Sequence, residues 1–344
     1  MIVTGRIVRR LPAPYPPHSL RRSPIAHSPN PVHFHHTAML GRALILKTSA
    51  FSPVERMVRK SFLFRGVVRR FIAGESLEEA INVCEGLTAK GFLVTLDYLG
   101  ENTKSEQEAL AARSTYMKML GCIAASPCGK NANISIKLTQ CGLDQGDDVA
   151  ERNYRQVLTE AETFGSFVRV DMEASAYVQR TLEIIERVWP DHKNTGTVLQ
   201  SYLYRTPDDV ELMIRLQMRT RLVKGAYLEP ESVAHKAKAK VDEAYVECGK
   251  RLLKDGFYPA IATHDQRIVE ILKAYATQEK VDKAKFEFQM LYGIRRDLQE
   301  SLRSEGYNVR VYVPFGESWY PYFTRRLAER PANIWFILKS FVRG

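Results

Sequence analysis

The sequence predicts a closed (β/α)8 barrel preceded by N-terminal helices and a basic extension, and two observations carry that reading. Beyond residue 90, short β-rich runs that end in polar residues alternate with helical stretches, eight times within about 240 residues, which is the size of one such barrel. An open doubly wound sheet is the rival, but it would ordinarily place G-x-G-x-x-G after its first strand, and neither that motif nor a Walker-type phosphate loop occurs.

The β-rich runs fall in order at 92–99, 134–138, 167–171, 197–202, 221–226, 258–264, 286–291 and 309–313. Between them, stretches such as 105–124, 176–188, 234–253 and 320–330 carry apolar residues at helical spacing. Earlier, 51–71 repeats the helical pattern through Val54, Met57, Val58, Phe62, Val67, Val68 and Phe71, with arginines between them, and reads as one or two amphipathic helices, packed on the body with a solvated basic face or, as the rival reading, in contact with a membrane surface. Residues 1–38 hold seven of the 16 prolines and five of the eight histidines and are expected to be disordered. The domain plan is therefore 1–38 extension, 39–90 N-terminal helices and 91–344 barrel.

Charge sharpens the division. The chain has 50 basic and 39 acidic residues, net +11, which by itself would point to nucleic acid or an anionic membrane. Residues 1–74 hold 13 of the basic residues and one acid, Glu55, so the remainder carries 37 against 38 and is neutral. The basicity belongs to the leader, where nothing has the strand-helix-helix pattern of a DNA-binding module, and no nucleic-acid partner is expected. Five scattered cysteines without C-x-x-C spacing fit a reduced compartment better than a disulfide scaffold or zinc site. No metal site is expected; His33, His35 and His36 lie in the disordered tail. There is no apolar run of membrane-spanning length and no secretory h-region, so the expected location is cytoplasmic.

A barrel builds its site at the C-terminal ends of its strands. The polar residues closing the runs are Asp97 and Glu101, Lys137, Asp171 and Glu173, Gln200, Lys224 and Tyr227, Thr263 and His264, Gln289, and Tyr312. Any one of them could instead cap a helix or satisfy a loop; the convergence of the set on one rim is the signal. Within Arg221-Leu-Val-Lys-Gly-Ala-Tyr227, Gly225 lets the backbone approach a flat or phosphorylated ligand, while Arg221 and Lys224 offer charge. In Tyr322-Phe-Thr-Arg-Arg-Leu-Ala-Glu329 the adjacent Arg325 and Arg326 suit bidentate capture of a carboxylate, against the plainer reading of a solvated helix face.

Taken as an ordered set, Leu96-Asp-Tyr-Leu-Gly-Glu101, Ile134-Ser-Ile-Lys-Leu138, Val170-Asp-Met-Glu173, Arg221 to Tyr227, Ala262-Thr-His264, Phe288-Gln-Met-Leu-Tyr-Gly293 and Tyr322-Phe-Thr-Arg-Arg326 resemble proline dehydrogenase, specifically the monofunctional bacterial type. The resemblance spans roughly residues 55–340. It implies a distorted barrel that binds FAD non-covalently, oxidises L-proline to Δ1-pyrroline-5-carboxylate and passes electrons to a membrane quinone. It implies catalytic positions at Asp171, Arg221 and Tyr227. Substrate contacts are implied at Lys137, Tyr312, Tyr322, Arg325, Arg326, Glu101 and Leu291, with Arg325 and Arg326 on the proline carboxylate and Glu101 ion-pairing with Arg325 to close the site. Flavin contacts are implied at Met172, Gln200, Arg221, Val223, Lys224, Gly225, Ala262, Thr263, His264 and Glu329. Leu228 departs from the tryptophan of the long bifunctional relatives, which puts the stacking near the flavin in question.

The chemistry agrees with this set. The protein must hold a hydride donor against the flavin, and a guanidinium such as Arg221 would stabilise negative charge on the reduced ring. The acceptor of the substrate's amine proton stays open between Lys137, Tyr227 and water. The nearest alternative within the class is a dehydrogenase for hydroxyproline or another cyclic imino acid, which the bulk of Tyr312 disfavours. A basic nucleic-acid-binding barrel and a barrel without activity are the rivals outside it. If electrons go to a membrane quinone, the basic helix at about 54–72 is the expected peripheral contact with the inner face of the membrane.

Overall fold

A computed structural model describes residues 68–100 and 102–329, together with Glu55 and Gly66; the side chains of Arg325 and of residues 327–329 lie outside that description. The expectations for residues 1–38, for most of the basic helix and for Glu101 fall on residues outside it as well.

Eight parallel strands close into a barrel in chain order, β1 Leu93–Tyr98, β2 Ala132–Ile136, β3 Val168–Val170, β4 Thr195–Gln200, β5 Arg219–Val223, β6 Ala260–Ala262, β7 Glu287–Leu291 and β8 Asn308–Phe315. Closure runs from Leu93 opposite Arg310 to Tyr98 opposite Phe315. The helices are α1 Leu77–Thr88, α2 Glu106–Ala125, α3 Asp147–Thr163, α4 Ser175–Val188, α5 Thr206–Leu216, α6 Lys238–Asp255, α7 Gln266–Gln278, α8 Arg296–Ser304 and α9 Trp319–Glu329. Among the described residues, no helix is long and apolar enough to cross a membrane. The barrel predicted from the sequence is therefore the fold observed.

The helix starts are written locally. Ser76 and Glu79 form a reciprocal capping box on α1, and the Ser105 hydroxyl accepts the Glu108 amide at 3.2 Å to start α2. At α4 the cap position is Ala174, which has no side chain to offer. Glu229, from the loop after β5, substitutes: its Oε1 accepts the Ser175 amide at 2.7 Å, and its other oxygen pairs with the Ser175 hydroxyl. That contact ties the loop carrying Tyr227 to the segment following β3.

Strands β2, β4 and β5 begin two residues earlier than their β-rich runs, at Ala132-Asn133, Thr195-Gly196 and Arg219-Thr220. A propensity reading passes over these residues because they are polar or small. Here the polar character serves the barrel interior. Asn133 accepts from the Thr95 hydroxyl at 2.6 Å, and the Arg219 guanidinium lies 5.0 Å from the Phe167 ring centroid and 4.8 Å from that of Tyr258. Barrel interiors are usually filled by branched apolar side chains. This one instead buries Arg169, Arg221, Glu287, Gln289 and Arg310, while the apolar core lies between strands and helices.

A second apolar cluster fixes the C-terminal rim. Val68, Phe71 and Ile72 pack with Leu99, Ile294, Trp319, Tyr320, Tyr322 and Phe323, and Leu291 packs against them. Trp319 Nε1 donates to Glu75 at 2.6 Å, and the Ala73 amide donates to the Pro314 carbonyl at 2.9 Å, so the start of α9 is held beside β8.

Gly196 tests the packing of the charged interior. A methyl there would meet the Arg219 carbonyl oxygen, the Phe167 ring at 2.8 Å and Arg169 Nη1 at 3.1 Å. Gly196→Ala is expected to lower the free energy of unfolding by about 1–3 kcal/mol in urea titrations, and an unchanged midpoint would contradict this packing.

Candidate active site

Because side chains alternate along a strand, every second residue faces the barrel axis. Inward-facing residues of non-adjacent strands meet there. Arg221 of β5 donates from Nη1 to Asp171 Oδ1, just after β3, at 2.6 Å, and from Nε to Gln289 Oε1 of β7 at 2.5 Å. Its Nη2 lies 3.4 Å from the Ser135 hydroxyl of β2. Tyr312 of β8 donates to the other Asp171 oxygen at 2.6 Å, and the Arg221 guanidinium sits 5.1 Å from its ring centroid. Burial, and then the Asp171 and Asp97 carboxylates, push the Tyr312 phenol well above its ordinary value. It stays a neutral donor.

Beside this cluster, Lys137 Nζ donates to Asp97 Oδ1 at 2.7 Å, and Asp97 is 1% exposed. Burial alone would lower the Lys137 pKa, but the Asp97 and Asp171 carboxylates outweigh it and raise it, so the ammonium keeps its proton. Glu173 completes this side. It accepts from the Thr139 hydroxyl at 2.7 Å, and burial pushes its carboxyl up despite that bond.

On the rim between β4 and β6, Gln200 donates to the Glu173 carbonyl at 3.2 Å, while its Oε1 is buried with no hydrogen-bond partner among the described residues. Gly225 has φ +111°, and a Cβ there would run into the Tyr202 ring, so only glycine fits. Met172 and Thr263 are buried; Val223 and Ala262 are partly so. His264 Nε2 accepts the Leu291 amide at 3.0 Å, which places the ring proton on Nδ1. Lys224 is held by Asp242 at 2.5 Å and Asp265 at 3.1 Å; although burial raises these carboxyls, its ammonium brings both below their ordinary range.

On α9, Tyr322 is buried and the Arg326 guanidinium lies 5.3 Å from its ring centroid. Tyr227 is 39% exposed and Leu228 77% exposed on the loop after β5. Glu101 and the side chains of Arg325 and Glu329 are outside the described residues. Among the described residues no cluster of His, Cys, Asp and Glu could hold a metal ion.

The structure thus brings Lys137, Asp171, Arg221 and Tyr312 into one interior site and places the Gln200, Gly225 and Thr263 group on its rim. Strand-end reading assigned no role to Asp97 and Gln289, and it missed Ser135, Glu287, Arg310 and Glu229. A period-two pattern of polar side chains inside apolar strands, as in Thr95-Leu-Asp97, Ser135-Ile-Lys137, Glu287-Phe-Gln289 and Arg310-Val-Tyr312, is the signal that could have found five of these six.

A family profile described as proline dehydrogenase matches residues 80–338. Among curated proteins, the proline dehydrogenase of Deinococcus radiodurans is 39% identical over 310 residues, covering 89% of this chain and 99% of its own. Proline dehydrogenase 2 of Bacillus subtilis is 39% identical over 305 residues, covering 89% of this chain and all of its own. Among solved structures, proline utilization A from Bdellovibrio bacteriovorus, inactivated by N-propargylglycine, superposes with a TM-score of 0.74 at 27% identity, over 86% of this chain and 37% of that longer one. Matches that run nearly end to end along single-function enzymes, on a barrel shared with the longer protein, place this chain in the proline dehydrogenase family, in its monofunctional bacterial form.

Proposed function

We propose that this enzyme oxidises L-proline to Δ1-pyrroline-5-carboxylate with FAD as its bound hydride acceptor, and that a membrane quinone takes the electrons onward. The observation that carries the reading is the interior cluster. A buried guanidinium, Arg221, is held on three sides by Asp171, Gln289 and Ser135 beneath a rim whose Gln200 Oε1 has no partner among the described residues. A flat, amide-rich ring system would satisfy that oxygen and approach the backbone at Gly225, and the residues present fit FAD.

FAD, when bound, supplies the acceptor for the hydride that leaves the proline ring carbon. Arg221 places fixed positive charge where negative charge gathers on the reduced cofactor. Met172, Val223, Lys224, Ala262, Thr263, His264 and Glu329 complete its contacts. Arg325 and Arg326 bind the substrate carboxylate, and Glu101 pairs with Arg325 to exclude water. Tyr322 and Leu291 wall the ring, and Tyr227 borders the pocket from the loop after β5. Lys137 and Tyr312 both retain their protons, so they orient the substrate rather than accept its amine proton. Tyr227 and water remain as acceptors of that proton.

Three outcomes follow. Arg326→Ala is expected to raise KM for L-proline about 100-fold or more while flavin stays bound, since a charge-assisted pair to the carboxylate is lost. Loss of flavin would refute the role. With a soluble quinone analogue, kcat/KM for L-proline should exceed that for trans-4-hydroxy-L-proline because Tyr312 crowds the ring, and the reverse order would overturn the substrate assignment. We further propose that the enzyme is cytoplasmic and docks at the inner face of the membrane through the basic segment at about 54–72. Flotation with vesicles rich in anionic lipid should then be abolished by high salt, and salt-independent binding would count against an electrostatic contact.

A further inference from the structure

Below the site, the hydrogen bonds continue to the base of the barrel. Gln289 accepts from Arg221 through Oε1 and donates from Nε2 to Glu287 Oε1. Glu287 accepts twice from Arg310, from Nε at 2.8 Å and from Nη2 at 3.0 Å. Arg310 also donates from Nη1 to the Val94 carbonyl at 2.8 Å. All four side chains are buried.

We propose that Glu287, which lies below the cofactor and substrate positions, is a positioning residue for Arg221 and acts through the Gln289 amide. Donor and acceptor parity along the chain of side chains dictates this. An ionised carboxylate only accepts, and a guanidinium only donates. With Arg310 forked onto it, Glu287 remains an acceptor, so the side of Gln289 that faces it must be the NH2. The other side of the same amide is then oxygen, and it faces Arg221 Nε. Turning the amide over would set NH2 against the Arg221 N–H and oxygen against the Glu287 carboxylate, two mismatches in a buried site. Arg310 therefore keeps Glu287 charged, Glu287 orients Gln289, and Gln289 fixes one edge of the guanidinium whose other edge Asp171 holds.

This inference rests on the reading that Arg221 meets a flavin, and the experiment separates the two. Glu287→Gln alone would leave Arg310 as a buried unpaired charge and could fail to fold, so the charge-neutral pair Glu287→Gln/Arg310→Met is used, since removing both partners of a buried pair is commonly tolerated. Gln289→Leu is the direct comparison. In the protein as purified, two quantities are measured. One is hydrogen exchange at Arg221 Nε by 15N NMR, its signal assigned from its absence in Arg221→Lys. The other is the reduction potential of bound flavin.

Both variants are expected to speed exchange at Arg221 Nε by about tenfold or more and to make the flavin potential more negative, whatever their separate effects on melting temperature. A double variant that melts like the wild type, with exchange unchanged while Gln289→Leu accelerates it, would show that Glu287 is only structural and overturn the proposal. If the protein holds no flavin, the exchange measurement still decides the positioning role, and it is the flavin reading that fails.

Discussion

The buried pairing of Arg221 with Asp171 is the constraint around which the rest of the barrel is arranged. The pair lies 2.6 Å apart with side chains only 6% and 13% exposed, in a space most barrels fill with branched hydrocarbon. Taking a charge out of water costs several kcal/mol unless partners surround it. Each partner of Arg221 is accordingly supplied by a different strand: Asp171 after β3, Ser135 on β2 and Gln289 on β7. Closure of the sheet in strict order makes those inward positions converge, so fold and site are one requirement.

The same logic explains the composition of the interior below. Arg169 has its pKa driven well below the ordinary arginine value by burial and by the neighbouring Arg221, and it answers by donating to the Thr197 and Arg219 carbonyls. Glu287 is the counter-charge. Its burial would raise its carboxyl pKa, but Arg310 and Arg169 prevail and hold it below the usual range. Above the charged layers the chemistry changes. The aromatic cluster around Trp319, Tyr322 and Phe323 anchors α9, and with it Arg326, by apolar packing and one Trp319–Glu75 hydrogen bond.

Much of this was legible in the sequence. Eight alternating units specified the barrel, and the polar residues closing the β-rich runs included Lys137, Asp171, Gln200 and Tyr312, all of which lie on or in the site. Less legible were the strand starts at Ala132, Thr195 and Arg219 and the interior residues Glu287 and Arg310. Propensity treats charge as a mark of loops, whereas here charge is buried because a second charge from a neighbouring strand meets it, and a single sequence does not display such pairings. Glu229 was invisible for a similar reason, since it caps a helix 54 residues away. The net charge, by contrast, is a property of residues 1–74, and the remaining 37 basic and 38 acidic residues nearly cancel.

The proposed function asks the charged barrel interior to hold a flavin that accepts hydride from L-proline. The most direct measurement is the visible spectrum of the purified protein under anaerobic titration with L-proline. The expected result is an oxidised-flavin spectrum that bleaches on addition of L-proline and returns when a quinone analogue is added. A colourless protein, or a flavin spectrum that L-proline leaves unchanged, would contradict it.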